Sequence, residues 1–140
     1  MKKIFLTLLS SLVIGQAFGQ ETYLCIPSKI TGFAYNASTK SWEQTGFRTG
    51  DTKKILRRTN GQWKWHLFGE KNSPHDCGED FGSLGDFNTA GFIFCGVSGG
   101  HVRMNKNSLR YVETHELGFI DGKDDKSLTP LIEIGTCSPL

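Results

Sequence analysis

The chain has 140 residues, 16 lysines and arginines against 14 aspartates and glutamates, and a 37% hydrophobic share. That length holds a single domain. The near balance of charge lacks the clustered basic face that marks a nucleic-acid binder.

Lys2 and Lys3 open the chain, and a mostly apolar run follows from Ile4 to Ile14. Ala17-Phe18-Gly19 then places small residues where a signal peptidase reads. Residues 1–19 are therefore read as a secretory signal peptide cleaved after Gly19. The run is too short for the ~20 apolar residues that cross a bilayer, and no later stretch is apolar enough to do so. Residues 20–140 are then one exported β domain, periplasmic or extracellular. Without Lys2 and Lys3, the 16 basic residues become 14 against 14 acids. The apparent basicity belongs to the leader.

Short strands follow in order. Thr22–Ile26 is the first, stopped by Pro27, and Thr31–Tyr35 is the second. Residues 36–40 form a turn-rich connection, and Trp42–Phe47 returns as the third strand. Lys53–Thr59 and Gln62–Phe68 then make a hairpin around Asn60-Gly61. Both turn residues tolerate positive φ, which a type I′ turn needs. Trp63, Trp65 and Leu67 alternate with Lys64 and His66. That period of two puts the large apolar groups on one face.

From Gly69 to Ala90, four glycines, Pro74 and several acids break the pattern, which predicts a long loop. Loops of this length in small domains are uncommon and often functional or tied down. Strands resume at Phe92–Cys95, His101–Met104 and Leu109–His115, with a continuation over Leu117–Ile120. Residues 121–126 form a charged loop. Pro130 begins the last strand, where Ile132, Ile134 and Thr136 alternate with Glu133; proline is acceptable at that position.

No window carries a 3.6-residue apolar period. Eight or nine short antiparallel strands in a meander predict an all-β domain. It should be a closed barrel of calycin or lipocalin type, or a sandwich. Three Trp, three Tyr and ten Phe can fill a small barrel.

Cys25, Cys77, Cys95 and Cys137 are an even set in an exported chain and read as disulfides. Three pairings are possible. Cys25–Cys137 with Cys77–Cys95 is favoured, because it ties the first strand to the last and clips the glycine-rich segment. In the chain-entropy picture each bridge contributes roughly 3–5 kcal/mol. The spacings lack the Cys-x-x-Cys pair of a zinc site, and an even count leaves no spare thiol for catalysis.

His66, Glu70, His75, Asp76, Glu79 and Asp80 are residue types that bind metals or transfer protons. Their spacing matches no motif with a mechanism, so a solvated polar loop is preferred. Asp121–Asp125 lacks the alternating acids and closing glutamate of a calcium loop. His115 and Glu116, as neighbours on a strand, point to opposite faces. Asn36-Ala37-Ser38 is a glycosylation sequon. No Gly-x-Ser-x-Gly elbow is present.

The segments Thr31–Asn36, Asn105–Tyr111 and Glu133–Cys137 resemble a group of small exported bacterial and phage-associated proteins. That group has no assigned activity and implies no functional residues. Ser98-Gly99-Gly100-His101 is similar to the opening of the Ser-Gly-x-x-Tyr loop of periplasmic lysozyme inhibitors, which are disulfide-linked eight-stranded barrels. Val102 stands at the tyrosine position of that loop.

The sequence reading is thus a secreted, monomeric, non-catalytic module without cofactor, binding a protein or small ligand. Its binding candidates are His75, Asp76, Glu79, Asp80, Ser98 and His101. The rival is a small hydrolase or metal-dependent enzyme built on the segment from His66 to Asp80. Convergence of His66, His75 and an acid on one point would favour the rival.

Overall fold

The computed structural model describes residues 21–70 and 74–140. The signal-peptide expectation falls outside them. Nine strands run antiparallel: β1 (Thr22–Asn36), β2 (Ser41–Phe47), β3 (Lys54–Thr59), β4 (Gln62–Leu67), β5 (His75–Gly78), β6 (Phe92–Val97), β7 (Gly100–Asn105), β8 (Arg110–His115) and β9 (Leu131–Pro139). Their order is β2-β1-β3-β4-β5-β6-β7-β8-β9, and β9 pairs back onto β1. The fold is a closed eight-stranded barrel, with β2 attached outside as an extra strand. Among the described residues no helix is long and apolar enough to cross a membrane.

The β3–β4 hairpin forms as its turn residues dictate, with φ of 52° at Asn60 and 80° at Gly61. Trp63 and Trp65 point inward at 1% and 2% exposure. Lys64 points outward and pairs with Asp76 on β5. Leu56, Ile93, Val102, Met104 and Tyr111 complete the interior with the four cysteines. Cys25 lies directly opposite Cys137, and Cys77 opposite Cys95. Both disulfides form as expected and cross-link neighbouring strands facing the core.

Three expected elements differ. Pro27 does not stop the first strand. Residues 22–36 are continuous, with a register shift between Pro27 and Lys29. On one side, β1 pairs with β3 through Cys25 and with β2 only from Ile30. Pro27 sits in that gap, where its missing N–H removes no ladder bond.

The glycine-rich segment is not all loop either. Its residues 75–78 form β5, a barrel strand with two paired residues on each side. Neither His75 nor Asp76 has strong strand propensity, so pairing and the Cys77–Cys95 bridge hold it in place. Beyond Gly78 the segment covers one barrel end through Asp86 and Phe87. Phe87 packs edge-on against Trp63 at 5.2 Å between ring centroids, and Asp86 accepts a 2.9 Å hydrogen bond from Trp63 Nε1. The indole N–H thereby finds the acceptor that a buried tryptophan needs.

Finally, Leu117–Ile120 is a turn rather than a strand. Gly118 adopts φ of 97°, and Lys123 N–H closes onto the Gly118 carbonyl. Phe119 instead stacks edge-on against Trp42 at 6.0 Å, where β2 leaves the barrel.

Candidate site at the open barrel mouth

With one end covered, the other end is an open cavity of about 310 Å³. Its floor is built by the inward positions of β3, β4 and β8. Tyr111, Glu113 and His115 alternate along β8 and so share the inner face. Glu133 on β9 lies directly opposite Glu113. Two carboxylates so placed repel each other. Lys54, reaching across from β3, resolves this: its Nζ bonds both Glu113 Oε2 and Glu133 Oε1. All three residues are only 5% exposed.

Two further bonds hold the carboxylates. Tyr111 donates its hydroxyl to Glu133 Oε1 at 2.6 Å. His115 Nε2 lies 2.9 Å from Glu113 Oε1. The Tyr111 ring is fixed by lying over Gly135, where an added Cβ would meet ring carbon Cε1 at 2.4 Å. Among the described residues, no fully buried side-chain nitrogen or oxygen lacks a hydrogen-bond partner.

The charge balance explains the protonation tendencies. One ammonium between two carboxylates leaves a net negative charge, which a protonated His115 cancels. Its hydrogen bond to Glu113 raises the His115 pKa, outweighing burial, with a further contribution from the Ser98 backbone. Burial pushes Glu113 upward, but the His115 bond and the Lys54 charge outweigh it, and its carboxyl ends below the ordinary range. Tyr111 is raised by burial and then by its bond to Glu133, so it stays a neutral donor.

His66, Leu67, Glu70, His75 and Ser98 also line the mouth. The structure thus brings two of the six sequence-derived binding candidates, His75 and Ser98, into one cavity. The others lie elsewhere. Asp76 turns outward to Lys64. Glu79 and Asp80 are exposed, and their backbone carbonyls accept bonds from Asn88 and Ser83. His101 is on the outer wall, stacked edge-on against Phe81 at 4.8 Å and 3.6 Å from Glu116. Among the described residues no group of three His, Cys, Asp or Glu is placed to hold a metal ion.

Lys54, Tyr111, Glu113, His115 and Glu133 were not selected from the sequence. The signal for three of them was the Tyr-x-Glu-x-His alternation of β8, since the hydrogen-bond partner of His115 is Glu113, two residues back. The chain matches no family model, no curated protein and no solved structure.

Proposed function

We propose that the chain is an exported, non-catalytic binding module that takes a partner's projecting group, or a small ligand, into the barrel mouth. The observation that carries this reading is a preformed cavity whose charged floor is buried and internally bonded. Desolvated charges are costly unless held in good geometry, and a cavity of this size with a few fixed polar groups is the usual form of a ligand site. Lys54 is bonded to Glu113 Oε2 and Glu133 Oε1, Glu113 Oε1 is held by His115, and the Tyr111 hydroxyl is donated to Glu133. They orient and polarise the cavity more readily than they transfer protons. Export is supported by the leader-like first residues and by two disulfides, which persist in oxidising compartments.

The test is capture from the native envelope or medium by the immobilised, disulfide-bonded protein. Ser98→Trp fills the mouth at a turn and should abolish capture without lowering the thermal midpoint. Capture retained by that variant moves the site away from the mouth.

A hydrolytic reading rests on one observation: the Glu113–His115 pair shares its cavity with His66 and His75. A base oriented by a carboxylate is half of a nucleophilic triad. Turnover of ester or amide substrates, lost in His115→Ala, would replace the binding reading.

A further inference from the structure

The outer wall of the barrel carries a second surface, separate from the mouth. Strand register aligns its side chains in rows, since directly opposed residues share a face. One row runs Phe94, Arg103, Val112, Ile134, Lys29 across β6, β7, β8, β9 and β1. The row toward the covered end holds Phe92, Asn105, Arg110, Thr136 and Ile26. The row toward the mouth holds Gly96, His101, Thr114, Ile132 and Thr31.

No position in these rows is an aspartate or glutamate. Glu116 sits beside the rows on the mouth side, 3.6 Å from His101; it accepts a 3.4 Å bond from Thr114 and lines the mouth-side end of the groove along Thr31 and Phe33. Arg103, Arg110 and Lys29 make no ion pair among the described residues; residues 1–20 and 71–73 contain no Asp or Glu that could supply one. Arg103 instead lies over the Phe94 ring at 5.1 Å to its centroid.

Between these cations the wall is apolar and open. Ile26, Val112, Ile132 and Ile134 are 42–48% exposed, and Phe33 beside them is 50% exposed. Ile132 stands between two grooves. One, of about 310 Å³, runs along Thr31, Phe33, Thr114 and Pro130. The other, of about 610 Å³, runs along Lys29, Phe47, Arg48 and Ile134. Contiguous apolar surface of this kind marks an interaction site.

We propose that this wall docks an acidic protein segment, with an apolar anchor seated in a groove beside Ile132 and carboxylates meeting Arg103, Lys29 and Arg48. Charge complementarity selects that occupant. A symmetric second copy would set the same cations against each other. The exposed apolar groups here are Ile26, Val112, Ile132, Ile134 and Phe33, and the vesicle arm of the experiment separates a lipid surface from a protein segment.

The experiment selects a phage-displayed random peptide library on the immobilised, disulfide-bonded protein and measures affinities of recovered peptides by fluorescence anisotropy. The expected peptides combine Asp or Glu with a large apolar residue, and added salt weakens them. Ile132→Ser and, separately, Arg103→Glu should each weaken binding by about tenfold, with the thermal midpoint and far-UV spectrum retained. Val112→Thr serves as a second wall variant if Ile132→Ser unfolds. Ser98→Trp should leave peptide affinity intact, which separates this surface from the mouth.

Recovery of no peptide, or of basic or uncharged peptides, overturns the proposal. So does affinity unchanged in Ile132→Ser or Val112→Thr. Equal binding to phosphatidylglycerol vesicles would assign the wall to lipid instead. Concentration-dependent dimers in sedimentation, lost in Ile132→Ser, would assign it to a second copy.

Discussion

Replacing Lys54 by methionine removes the cation from between Glu113 and Glu133 while keeping most of the side-chain volume. The two carboxylates are directly cross-strand, each on a residue 5% exposed. His115 remains against one oxygen of Glu113, and Tyr111 against one of Glu133. Neither replaces an ammonium bonded to both. Breaking a buried ion pair by deleting one partner costs roughly 3–5 kcal/mol, because the other charge stays buried. In a domain of this size that lowers the thermal midpoint by roughly 10–20 °C.

The loss should depend on pH in a defined direction. Without Lys54, two buried carboxylates face each other with no shared cation, an arrangement that disfavours both being ionised together. The variant is then worst at neutral and higher pH and recovers as one carboxyl protonates in acid. Urea unfolding of wild type and Lys54→Met across pH, at constant m-value, reads this directly. The triple variant Lys54→Met, Glu113→Gln, Glu133→Gln should be more stable than Lys54→Met alone at neutral pH. A Lys54→Met cost below about 1 kcal/mol, or one independent of pH, would show that the three groups are not desolvated together and refute the reasoning.

Other outcomes follow from the same geometry. Trp63→Ala and Trp65→Ala should each cost roughly 3–5 kcal/mol in urea unfolding, whereas Lys64→Ala should change stability by less than about 0.5 kcal/mol; equal effects at Lys64 and Trp65 would invert the inner and outer faces. The raised His115 pKa contributes stability that is full below its unfolded pKa, near ~6.5, and is lost as pH rises through the folded value. The lowered Glu113 pKa contributes stability lost as pH falls through its folded value. The urea-midpoint difference between wild type and His115→Gln should therefore shrink on going from mildly acidic to alkaline pH, and a flat difference would contradict the Glu113–His115 bond. Replacing Cys77 and Cys95 together by serine removes the bridge closing the shorter loop and should cost about 3 kcal/mol. Hydrogen-exchange protection should fall first in β5, and uniform loss of protection would show that β5 is not a separate unit.

The sequence showed the turns clearly, and the sidedness of the strands only in part. Asn60-Gly61 specified its hairpin because few residue pairs tolerate positive φ. The Trp63/Trp65 alternation then fixed which face of β4 is inside. On β9, apolar alternation alone pointed the wrong way. Ile132 and Ile134 are on the outer wall, and Glu133 is in the core. Cys137 carried the correct parity, because a disulfide to Cys25 must face the interior and Glu133 and Gly135 share its face. Apolar character marks the inside only when the inside is apolar, and here part of it is an ion network.

What the chain determined by itself was local: short strands, tight turns, an even set of cysteines and a meander that closes. These rest on backbone sterics and on side-chain periodicity, which neighbouring residues alone can express. The tertiary structure decided which distant groups complete one another. Lys54 and Glu133 are 79 residues apart and meet only because β3 and β9 both flank β1. His75–Gly78 is a strand only because β4 and β6 offer edges on either side and a disulfide holds it there. The long segment after it covers one end because Trp63 needs an acceptor and a ring, which Asp86 and Phe87 supply. Burial is a property of the closed barrel, so the charges it encloses and the isoleucines it leaves outside are set only when the barrel closes.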